Sequence, residues 1–413
     1  MTANPMAVFV TDGEQRSALA VVRSLGRAGI RVTVGSSRPA SLAGSSRYCA
    51  RTVCYPSPRD ASTQFQEFLR EEMASGRYRL LLPMTDIAAR IVARQRDLLS
   101  PWVCLPLPAE DRLLLAQDKR CALMLAERVS ISHPETYMTN PEERIEDVAR
   151  LARYPVVIKP RFSKFPHGAG WFSGEVEYAR DARELMEKYR RSHARIPFPL
   201  VQEKIQGEGQ GVFLLLWNGE LKAAFCHRRL REKPPWGGPS VFRESIPLDP
   251  ALLQKCVAFL QTIGWQGPAM LEFKVDTRDG QPKLMEVNGR FWGSLQLAID
   301  AGMDFPLLLY RLATGEDVAP QFSYRIGVKS RWLLGDLDHL LIRLKNAPAP
   351  DGSNGHSTSR LRACLNFLKP YERDSYSEIF RRNDPRPAWQ EWREYWRALT
   401  SRSASTEGKR RAS

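Results

Sequence analysis

Two glutamates lie on a predicted β-hairpin in the stretch MLEFKVDTRDGQPKLMEVNGRFWGS, residues 270–294. Asp279 and Gly280 form a turn signal midway between Glu272 and Glu286, so a symmetric hairpin pairs these two side chains directly across the ladder. Like charges at this separation, roughly 5 Å, destabilise a sheet. A hard divalent cation such as Mg²⁺ would remove the repulsion, and Mg²⁺ usually shares its ligand shell with substrate phosphates. The pair therefore predicts a metal and a nucleotide.

The return strand of this hairpin carries two further candidates. Period-two alternation places Asn288 on the same face as Glu286, where its amide oxygen could help to hold a metal. Arg290 follows just beyond the strand, where its guanidinium could clamp a phosphoryl group during transfer. Two alternatives stay open. The glutamates could be solvated on an exposed face with Lys274 as counter-ion, and Arg290 could tie the strand end to a neighbouring carboxylate.

A lysine and a glycine-bearing loop occur in VVIKPRFSKFPHGAG, residues 156–170. Lys159 ends an apolar strand, and a buried ammonium there is costly unless it meets an anion. The following loop supplies Ser163, Lys164, Gly168 and Gly170, and its backbone amides could approach phosphate oxygens. Because it lacks the G-x-x-x-x-G-K-[ST] spacing of a P-loop, a plain surface hairpin is the alternative.

The stretch LVQEKIQGEGQGVFLLL, residues 200–216, predicts a strand that gives way to glycines. Main-chain donors and acceptors at the end of such a strand could bind an adenine edge while apolar neighbours sandwich the ring. A strand followed by an ordinary turn is equally compatible with the pattern.

The elements that must position these residues begin with a doubly wound unit. It consists of a strand at Ala7–Val10, a helix at 17–27 and a strand at 30–35, the alternation typical of parallel sheets. The turn TDGEQRS lacks the G-x-G-x-x-G fingerprint, so no dinucleotide is predicted there. The alternation continues to about residue 110 through a helix at 63–74, a strand at 80–83 and a helix at 85–99.

Composition and charge argue against several classes of function. The 413 residues are 43% hydrophobic and 26% charged, and no apolar run approaches the ~20 residues that cross a bilayer. The net charge of +15 is spread along the chain, with +8 after residue 320, and no nucleic-acid-binding motif accompanies it. It favours anionic small ligands over nucleic acid. Seven scattered cysteines without a CxxC pair argue against disulfides and zinc. With no signal-peptide pattern, a cytoplasmic location without membrane insertion is expected.

The C-terminal part of the chain gives weaker signals. KNAPAPDGSNGHSTS, residues 345–359, has the composition of a flexible linker. Trp389, Trp392 and Trp396 have helical spacing in AWQEWREYW. This spacing predicts that a C-terminal helix packs them against the body of the protein.

In their order and spacing these segments resemble the ATP-grasp superfamily, and more narrowly its carboxylate-amine ligase and carbamoyl-phosphate-synthase-like branch. The strongest parts are ExNxR at 286–290, Glu272, Lys159 and the stretch VQEKIQGEG. The resemblance runs from the first strand to about residue 320. It implies an α/β fold, α+β in the catalytic part, with these regions: a Rossmann-like pre-ATP-grasp domain at 1–110, an ATP-grasp domain at 111–320 with lobes 111–195 and 196–320, and a basic C-terminal extension at 321–413.

The resemblance also implies a set of site residues. Lys119 and Lys159 would contact the phosphates of ATP, with Ser163, Gly168 and Gly170 in the phosphate loop. The adenine would be bordered by Gln202, Glu203, Lys204 and Ile205, with Glu208 near the ribose. Mg²⁺ or Mn²⁺ would be held by Glu272, Glu286 and Asn288. The catalytic residues would be Arg290, facing an acyl phosphate, and Lys159.

The stretch 227–245 resembles the substrate-side loop of bacterial ligases of this kind. Arginine forks suit carboxylates, although a basic loop can also be a solvated face. The substrate candidates here are His227, Arg229, Gly237, Gly238 and Arg243, beside Trp236.

The implied reaction activates a small-molecule carboxylate with ATP as an acyl phosphate and joins it to an amine. Two other hypotheses stay open: an enzyme that makes an acyl, carbamoyl or carboxy phosphate without joining an amine, and an ATP-binding module without turnover. The protein could form a homodimer under any of these hypotheses.

Overall fold

The computed structural model describes residues 7–137, 145–168, 170–345, 360–369 and 373–411. The first part of the chain forms a four-stranded parallel sheet in the order β3-β2-β1-β4. The predicted doubly wound unit is confirmed, except that the helix predicted at 85–99 is interrupted at Gln95. The elements are β1 (Ala7–Val10), α1 (Arg16–Arg27), β2 (Val32–Ser36), β3 (Arg51–Cys54), α2 (Ser62–Ala74), β4 (Tyr78–Leu82), α3 (Asp86–Arg94) and α4 (Arg96–Leu99).

Strand β1 is buried on both faces, which explains its uninterrupted apolar sequence. Val8 and Val10 face the core that contains α1, whereas Phe9 faces the core that contains α2 and α3. Both cores continue into the large sheet described below, where Phe213 and Leu214 face opposite cores. The carboxyl edge of the first sheet is thereby held against the rest of the protein.

The second part of the chain contains a small antiparallel sheet in the order β5-β10-β6-β9. This sheet includes Leu200–Glu203, which lies beyond the boundary at residue 195 expected between the two lobes. Its elements are α5 (Glu110–Gln117), α6 (Lys119–Arg128), β5 (Thr136–Tyr137), α7 (Ile145–Leu151), β6 (Val156–Lys159), β7 (Lys164–His167), β8 (Gly170–Ser173), β9 (Glu177–Ala179), α8 (Ala182–Arg195) and β10 (Leu200–Glu203).

The large sheet has seven strands in the order β15-β14-β11-β12-β13-β16-β17. All neighbouring strands are antiparallel except β16 and β17. The remaining elements are β11 (Gly207–Trp217), β12 (Glu220–Glu232), β13 (Ser240–Ser245), α9 (Pro250–Thr262), β14 (Gly267–Asp276), β15 (Pro282–Asn288), α10 (Leu295–Asp300), α11 (Phe305–Ala313), β16 (Lys329–Arg331), α12 (Leu333–Leu344), α13 (Arg360–Leu368), β17 (Ser375–Ser377) and α14 (Arg386–Arg411).

The stretch 227–245, predicted as an extended loop, is mostly strand. Residues up to Glu232 belong to β12 and those from Ser240 belong to β13, and the two strands pair with each other. Only residues 233–239 form a loop. The arginines of this stretch are therefore held on a sheet and not on a solvated loop.

The C-terminal region is part of the fold and not an appended extension. Strands β16 and β17 complete the large sheet. The segment after β17 returns to the first domain, where Glu378 pairs with Arg16 (2.5 Å) and Asp384 pairs with the buried Arg23 (2.9 Å). The predicted linker at 345–359 lies, after its first residue, outside the described residues.

The expectation for the C-terminal tryptophans is wrong for two of the three. The side chains of Trp389 and Trp396 on α14 are 74% and 58% exposed. The helix contacts the body through the buried Ala388 and through polar groups: Trp332 Nε1 donates to Glu391 (2.6 Å) and Tyr395 donates to Asp338 (2.7 Å). None of the helices in the described ranges has the length and apolar character needed to span a membrane.

Candidate active site

A cavity of about 1040 Å³ lies where the carboxyl edge of the first sheet meets the small and large sheets. It brings together most of the residues that the sequence predicted. Each comes from the end of a strand or the start of a helix, so the fold gathers chain segments that are distant in sequence. The predicted residues in its lining are Lys119, Lys159, Ser163, Glu203, Lys204, Ile205, His227, Arg229, Gly237, Gly238, Arg243, Glu272, Glu286, Asn288 and Arg290.

Two residues predicted near the nucleoside have side chains outside this lining. Gln202 is buried in the small sheet, where its Nε2 donates to Thr136 Oγ1 (2.9 Å). Glu208 is exposed on β11 and lies 3.9 Å from Arg228. The cavity is lined instead by the other predicted residues of this stretch, Glu203, Lys204 and Ile205, at the end of β10.

The predicted phosphate loop is a two-stranded hairpin, β7–β8, as the alternative interpretation of this stretch predicted. Gly168 and Gly170 do not line the cavity, and Gly170 packs against the first domain. A Cβ on Gly170 would lie 2.8 Å from the carbonyl oxygen of Arg59. The hairpin borders the cavity through Ser163 and Lys164 at its base.

The structure pairs Glu272 directly with Glu286 in the β14–β15 ladder, as the turn predicts. Leu271 and Phe273 are fully buried while Glu272 is partly exposed, which confirms the alternation. The register shifts after the pair, so Met285 is an extra residue on the return strand. Such a bulge increases the local twist next to the two carboxylates.

Arg229 compensates one of these two carboxylates. Its Nη2 lies 2.6 Å from Glu272 Oε2, so the counter-ion of Glu272 is Arg229 and not Lys274. Glu286 Oε1 accepts a 3.3 Å hydrogen bond from Asn288 Nδ2, and within the described residues it has no cation at ion-pair distance. Glu286 therefore remains an uncompensated carboxylate on the cavity wall.

Lys159 is the cation that faces this wall from the small sheet. It ends β6, is 9% exposed, and among the described residues has no carboxylate within 4 Å. Burial and the like charge of Lys119 lower its pKa to about 8, opposed by the charges of Glu286 and Glu272. Lys119 Nζ donates to Ser163 Oγ (2.8 Å). Two ammonium groups at the base of the hairpin thus form a site for a multiply charged anion.

Arg290 forms an ion pair with a neighbouring carboxylate, as the alternative interpretation of this residue predicted. Its Nε and Nη2 each lie 3.1 Å from an oxygen of Asp86, and Nη2 also donates to Asn288 Oδ1 (3.1 Å). Burial lowers the pKa of Arg290, but the charge and hydrogen bond of Asp86, together with the charges of Glu286 and Asp12, outweigh it and raise the pKa overall. Its side chain is 20% exposed and lines the cavity, so the guanidinium is oriented before any ligand binds.

His227 and Arg243 form the buried floor beneath the predicted substrate residues. His227 is 1% exposed, and neither ring nitrogen has a hydrogen-bond partner among the described residues. Burial, with the charges of Arg229 and Arg243, holds the pKa of His227 well below its usual range, so the ring is neutral. Arg243 donates to Ser240 O (2.9 Å) and pairs with Glu378. The charge of Arg243 is therefore compensated, while His227 offers the cavity a neutral polar group.

The loop at 233–239 covers this floor with Trp236, Gly237 and Gly238. Gly238 has a φ of +151°, and a Cβ there would lie 2.4 Å from the carbonyl oxygen of Lys233. Glycine is therefore required at this position for the loop to turn over the cavity.

Sequence reasoning missed the contribution of the first sheet. Asp12, Arg16, Thr85 and Asp86 line the cavity and follow β1 or β4. The signal was present, because polar residues directly after buried parallel strands collect at one edge, where α/β sheets bind ligands. The TDG turn lacks the dinucleotide fingerprint, so that motif alone does not indicate this edge as a binding site.

The donor atoms on the β14–β15 hairpin fit a hard divalent cation. Within the described ranges no group of three or more His, Cys, Asp and Glu side chains could hold a metal. Glu272, Glu286 and Asn288 nevertheless present carboxylate and amide oxygens, the ligand types of Mg²⁺ and Mn²⁺, and substrate phosphates commonly complete such a shell. The uncompensated carboxylate of Glu286 is the observation that such a cation would explain.

Part of the sequence, including most strands of the large sheet, matches a protein-family model. Residues 196–333 match the model of a family described as ATP-grasp in the biosynthetic pathway with Ter operon. The match includes the β14–β15 hairpin and Arg290, but neither Lys119 nor Lys159. No protein of curated function matches the sequence.

Solved structures match most of the chain. An L-amino acid ligase from Bacillus licheniformis is 17% identical with a TM-score of 0.58, over 77% of this chain and 76% of that chain. The N5-carboxyaminoimidazole synthetase from Staphylococcus aureus is 13% identical with a TM-score of 0.62, over 86% and 92%. The chain has the ATP-grasp fold.

A third ATP-grasp structure shows the nucleotide in such a fold. The biotin carboxylase domain of the Hydrogenobacter thermophilus 2-oxoglutarate carboxylase, in complex with MgADP and bicarbonate, is 14% identical with a TM-score of 0.62, over 78% of this chain and 73% of that chain. The resemblance to ATP-grasp proteins and the predicted fold, a pre-ATP-grasp domain followed by two lobes, are confirmed.

Proposed function

We propose that this protein is an ATP-dependent ligase that activates a small-molecule carboxylate as an acyl phosphate and joins it to an amine, with release of ADP and phosphate. The ATP-grasp fold supports an ATP-dependent enzyme of this class. The amide-forming step and the two small-molecule substrates are the specific content of the proposal.

The observation that carries the proposal is a buried, uncompensated ammonium facing an uncompensated carboxylate across one cavity. Lys159 is buried, and a buried ammonium is costly unless it meets an anion. Glu286 is half-buried and offers an uncompensated carboxylate to a cation. A nucleotide phosphate that brings a divalent cation satisfies both. The remaining volume, beside Arg229 and His227, leaves room for a second substrate.

The proposed reaction has two steps. A carboxylate oxygen of the acid attacks the γ-phosphorus of ATP, and ADP leaves. The amine nitrogen then attacks the acyl carbon, and the bond between that carbon and the phosphate oxygen breaks. Neither step needs a side-chain nucleophile, so positioning and charge stabilisation carry the catalysis.

The chain's own residues divide these tasks. Lys119 and Lys159 bind the phosphates, and Arg290, held in orientation by Asp86, stabilises charge on the transferring phosphoryl group. Glu272, Glu286 and Asn288 would hold Mg²⁺, which when bound shields the phosphate charges. The β7–β8 hairpin and the loop at 233–239 exclude water, which would otherwise hydrolyse an acyl phosphate.

The direct test is a screen for ADP release with ATP and Mg²⁺, in which amino acids and other small acids are offered alone and then paired with amines. A hit is followed by mass spectrometry. The proposal expects ADP release that requires an acid, and a product whose mass equals acid plus amine minus water. A Glu286→Gln variant of the same preparation controls for contaminating ATPases.

Two outcomes would overturn the proposal in favour of its alternatives. ADP release with an acid or bicarbonate that no amine accelerates, and with no amide product, would indicate acyl or carboxy phosphate formation only. Binding of ATP with Mg²⁺ but no ADP release across the panel would indicate an ATP-binding module.

A further inference from the structure

A buried carboxylate lies on the first-sheet side of the same cavity. Asp12 follows β1 with a φ of +53° and is 6% exposed. All the hydrogen bonds to its side chain reach one oxygen, Oδ2: from Thr11 Oγ1 (2.5 Å), Thr85 Oγ1 (3.1 Å) and the backbone N–H of Met84 (3.3 Å). The carboxylate is therefore fixed in orientation by two strand ends.

The other oxygen of Asp12, Oδ1, has no close donor or cation among the described residues. No donor in hydrogen-bonding geometry reaches Oδ1 and no cationic side chain lies within 4 Å, although the residue lines the cavity. The Tyr55 hydroxyl also interacts with the Asp12 carboxyl. Burial raises the pKa of Asp12 to about 6, with a smaller contribution from the charge of Glu14. The other ionisable groups around it are Tyr55, whose hydroxyl accepts from the Asp12 N–H, and the Asp86–Arg290 pair.

Two neighbouring carboxylates differ from Asp12. Both oxygens of Asp86 accept from Arg290 (3.1 Å each), so its charge is compensated. Glu14 accepts only from hydroxyls, such as Ser36 Oγ (2.7 Å), but it is half-buried, whereas Asp12 is buried. A buried carboxylate with one free oxygen on a cavity wall is a site for a small cation that can donate a hydrogen bond. A primary ammonium has that chemistry.

Asp12 is linked to the proposed reacting centre through Thr85 and Asp86. Thr85, which holds Asp12, is followed directly by Asp86, which holds Arg290. Arg290 is the group that the proposed function places at the acyl phosphate. The cavity is continuous between these residues, so a group bound at Asp12 Oδ1 lies on the side from which a nucleophile can approach.

We infer that Asp12 binds the ammonium group of the amine substrate and accepts its proton, which makes Asp12 the catalytic base of amide formation; this inference rests on the proposed function. The ammonium R–NH₃⁺ transfers one proton to Asp12 Oδ1, which becomes a carboxylic acid. The freed lone pair forms the N–C bond while the C–O bond to phosphate breaks, and that electron pair leaves with the phosphate. The second proton goes to the phosphate, which leaves a neutral amide.

The test separates acid activation from amine attack. Hydroxylamine is largely unprotonated at neutral pH, so it traps an acyl phosphate as a hydroxamate without a base. Wild type, Asp12→Asn and Asp304→Asn are compared with the most active acid of the screen, once with hydroxylamine and once with the amines of the panel. Asp304 is a matched control, because it is also a partly buried carboxylate with a raised pKa that accepts from a hydroxyl, Ser24 Oγ (2.5 Å), but it caps α11 away from the cavity.

We expect D12N to form hydroxamate within a few fold of wild type and to lose amide formation by about a hundredfold at pH 7, the usual scale for a general base. Between pH 7 and the pKa of the amine, the amide rate of D12N should rise about tenfold per pH unit, because solution must now remove the proton. Wild type and D304N should stay flat over this range, and wild type should lose amide formation below pH 6. D12E, which keeps a carboxylate, should retain a flat profile.

Several results would overturn the inference. These are an equal loss of hydroxamate and amide in D12N and D12E, no loss of either, and an amide rate of D12N that does not rise with pH. Two results with wild type would instead overturn the proposed function itself, and this inference with it: hydroxamate but no amide with any amine, and neither hydroxamate nor ADP with any acid.

Discussion

Lys159 and Asp12 are two buried charges of opposite sign on the walls of one cavity. Lys159 ends a strand of the small sheet and Asp12 follows a strand of the first sheet, with 9% and 6% exposure. Burial lowers the pKa of Lys159 to about 8 and raises that of Asp12 to about 6. Within the described residues neither has an opposite charge within 4 Å. Elsewhere in the fold buried charges are paired, as Arg23 is with Asp384 (2.9 Å).

The comparison indicates that the charges of Lys159 and Asp12 are compensated by bound ligands and not by other side chains. An uncompensated buried charge destabilises a protein. Among the described residues, most other buried charges are paired, whereas Lys159, its neighbour Lys119 and Asp12 have no opposite charge within 4 Å, which indicates where an anion and a cation bind. The two walls differ in how they hold their charge: Lys159 is surrounded by other charges, whereas Asp12 is fixed by hydroxyl and backbone donors.

The largest effect is expected at the carboxylate that faces Lys159. Glu286→Gln should reduce ATP-dependent turnover on the order of a thousandfold, because the amide keeps the shape but loses the charge that a metal needs. Turnover is measured as acid- and amine-dependent ADP release, and circular dichroism checks the fold. Glu220→Gln, at the exposed start of β12 in the same sheet, is the matched control and should be near wild type. A folded E286Q with normal turnover would remove Glu286 from the site.

The next effect separates catalysis from structure at Arg290. Arg290→Lys should keep ATP·Mg²⁺ affinity within a few fold and lose about a hundredfold in turnover, because one ammonium cannot replace a guanidinium oriented by two oxygens of Asp86. Affinity is measured by calorimetry and turnover at saturating ATP. Arg325→Lys, at the exposed pair with Asp374 (2.9 Å), should be silent. Near-normal turnover in R290K would leave Arg290 with a structural role only.

A third prediction uses pH to test whether Lys159 meets the phosphates. Lys159→Met should weaken binding of a non-hydrolysable ATP analogue by about tenfold to a hundredfold at pH 7, the scale of a lost charged hydrogen bond. In wild type the affinity should also fall as the pH rises above 8, where the free ammonium of Lys159 loses its proton, and K159M should lack this dependence. Lys255→Met on the exposed face of α9 is the control. Equal pH profiles in wild type and K159M would contradict the assignment.

The smallest effect concerns the stability of the ligand-free protein, which Asp12→Asn and Lys159→Met should each increase. Asp12 holds its proton up to pH about 6 when folded but only to 3.8 when unfolded, so its contribution favours folding at low pH and is lost as the pH rises through 6. Lys159 titrates near 8 when folded and 10.5 when unfolded, so its cost is full below pH 8 and disappears towards 10.5.

At pH 7 both costs are present, so D12N and K159M should each raise the free energy of unfolding on the order of 1–2 kcal/mol. The gain of D12N should shrink towards pH 4, and that of K159M towards pH 10. Urea denaturation of the ligand-free variants at the three pH values measures both. A loss of stability at pH 7 would show that the charges are compensated after all.

Both hairpins of the site were predictable from local sequence, but the sequence indicated only for one of them which residues line the cavity. The turn at Asp279 and Gly280 specifies the pairing of Glu272 with Glu286, because hairpin register depends on residues close in the chain. The glycines at 168 and 170 also indicated a hairpin as an alternative, and its packing against Arg59 places them outside the cavity lining. Glycine composition alone cannot show which side of a turn meets a ligand.

The sequence by itself determined the parallel unit, the opposed glutamates and the lysine at the end of an apolar strand, because each depends on neighbours within a few residues. Only the tertiary structure decided that Arg229 compensates Glu272, that Asp86 orients Arg290 and that Asp12 shares their cavity. Asp86 and Arg290 are 204 positions apart. Contacts of this kind arise from the packing of the first sheet onto the large sheet, which buries apolar faces on both and brings their polar strand ends together.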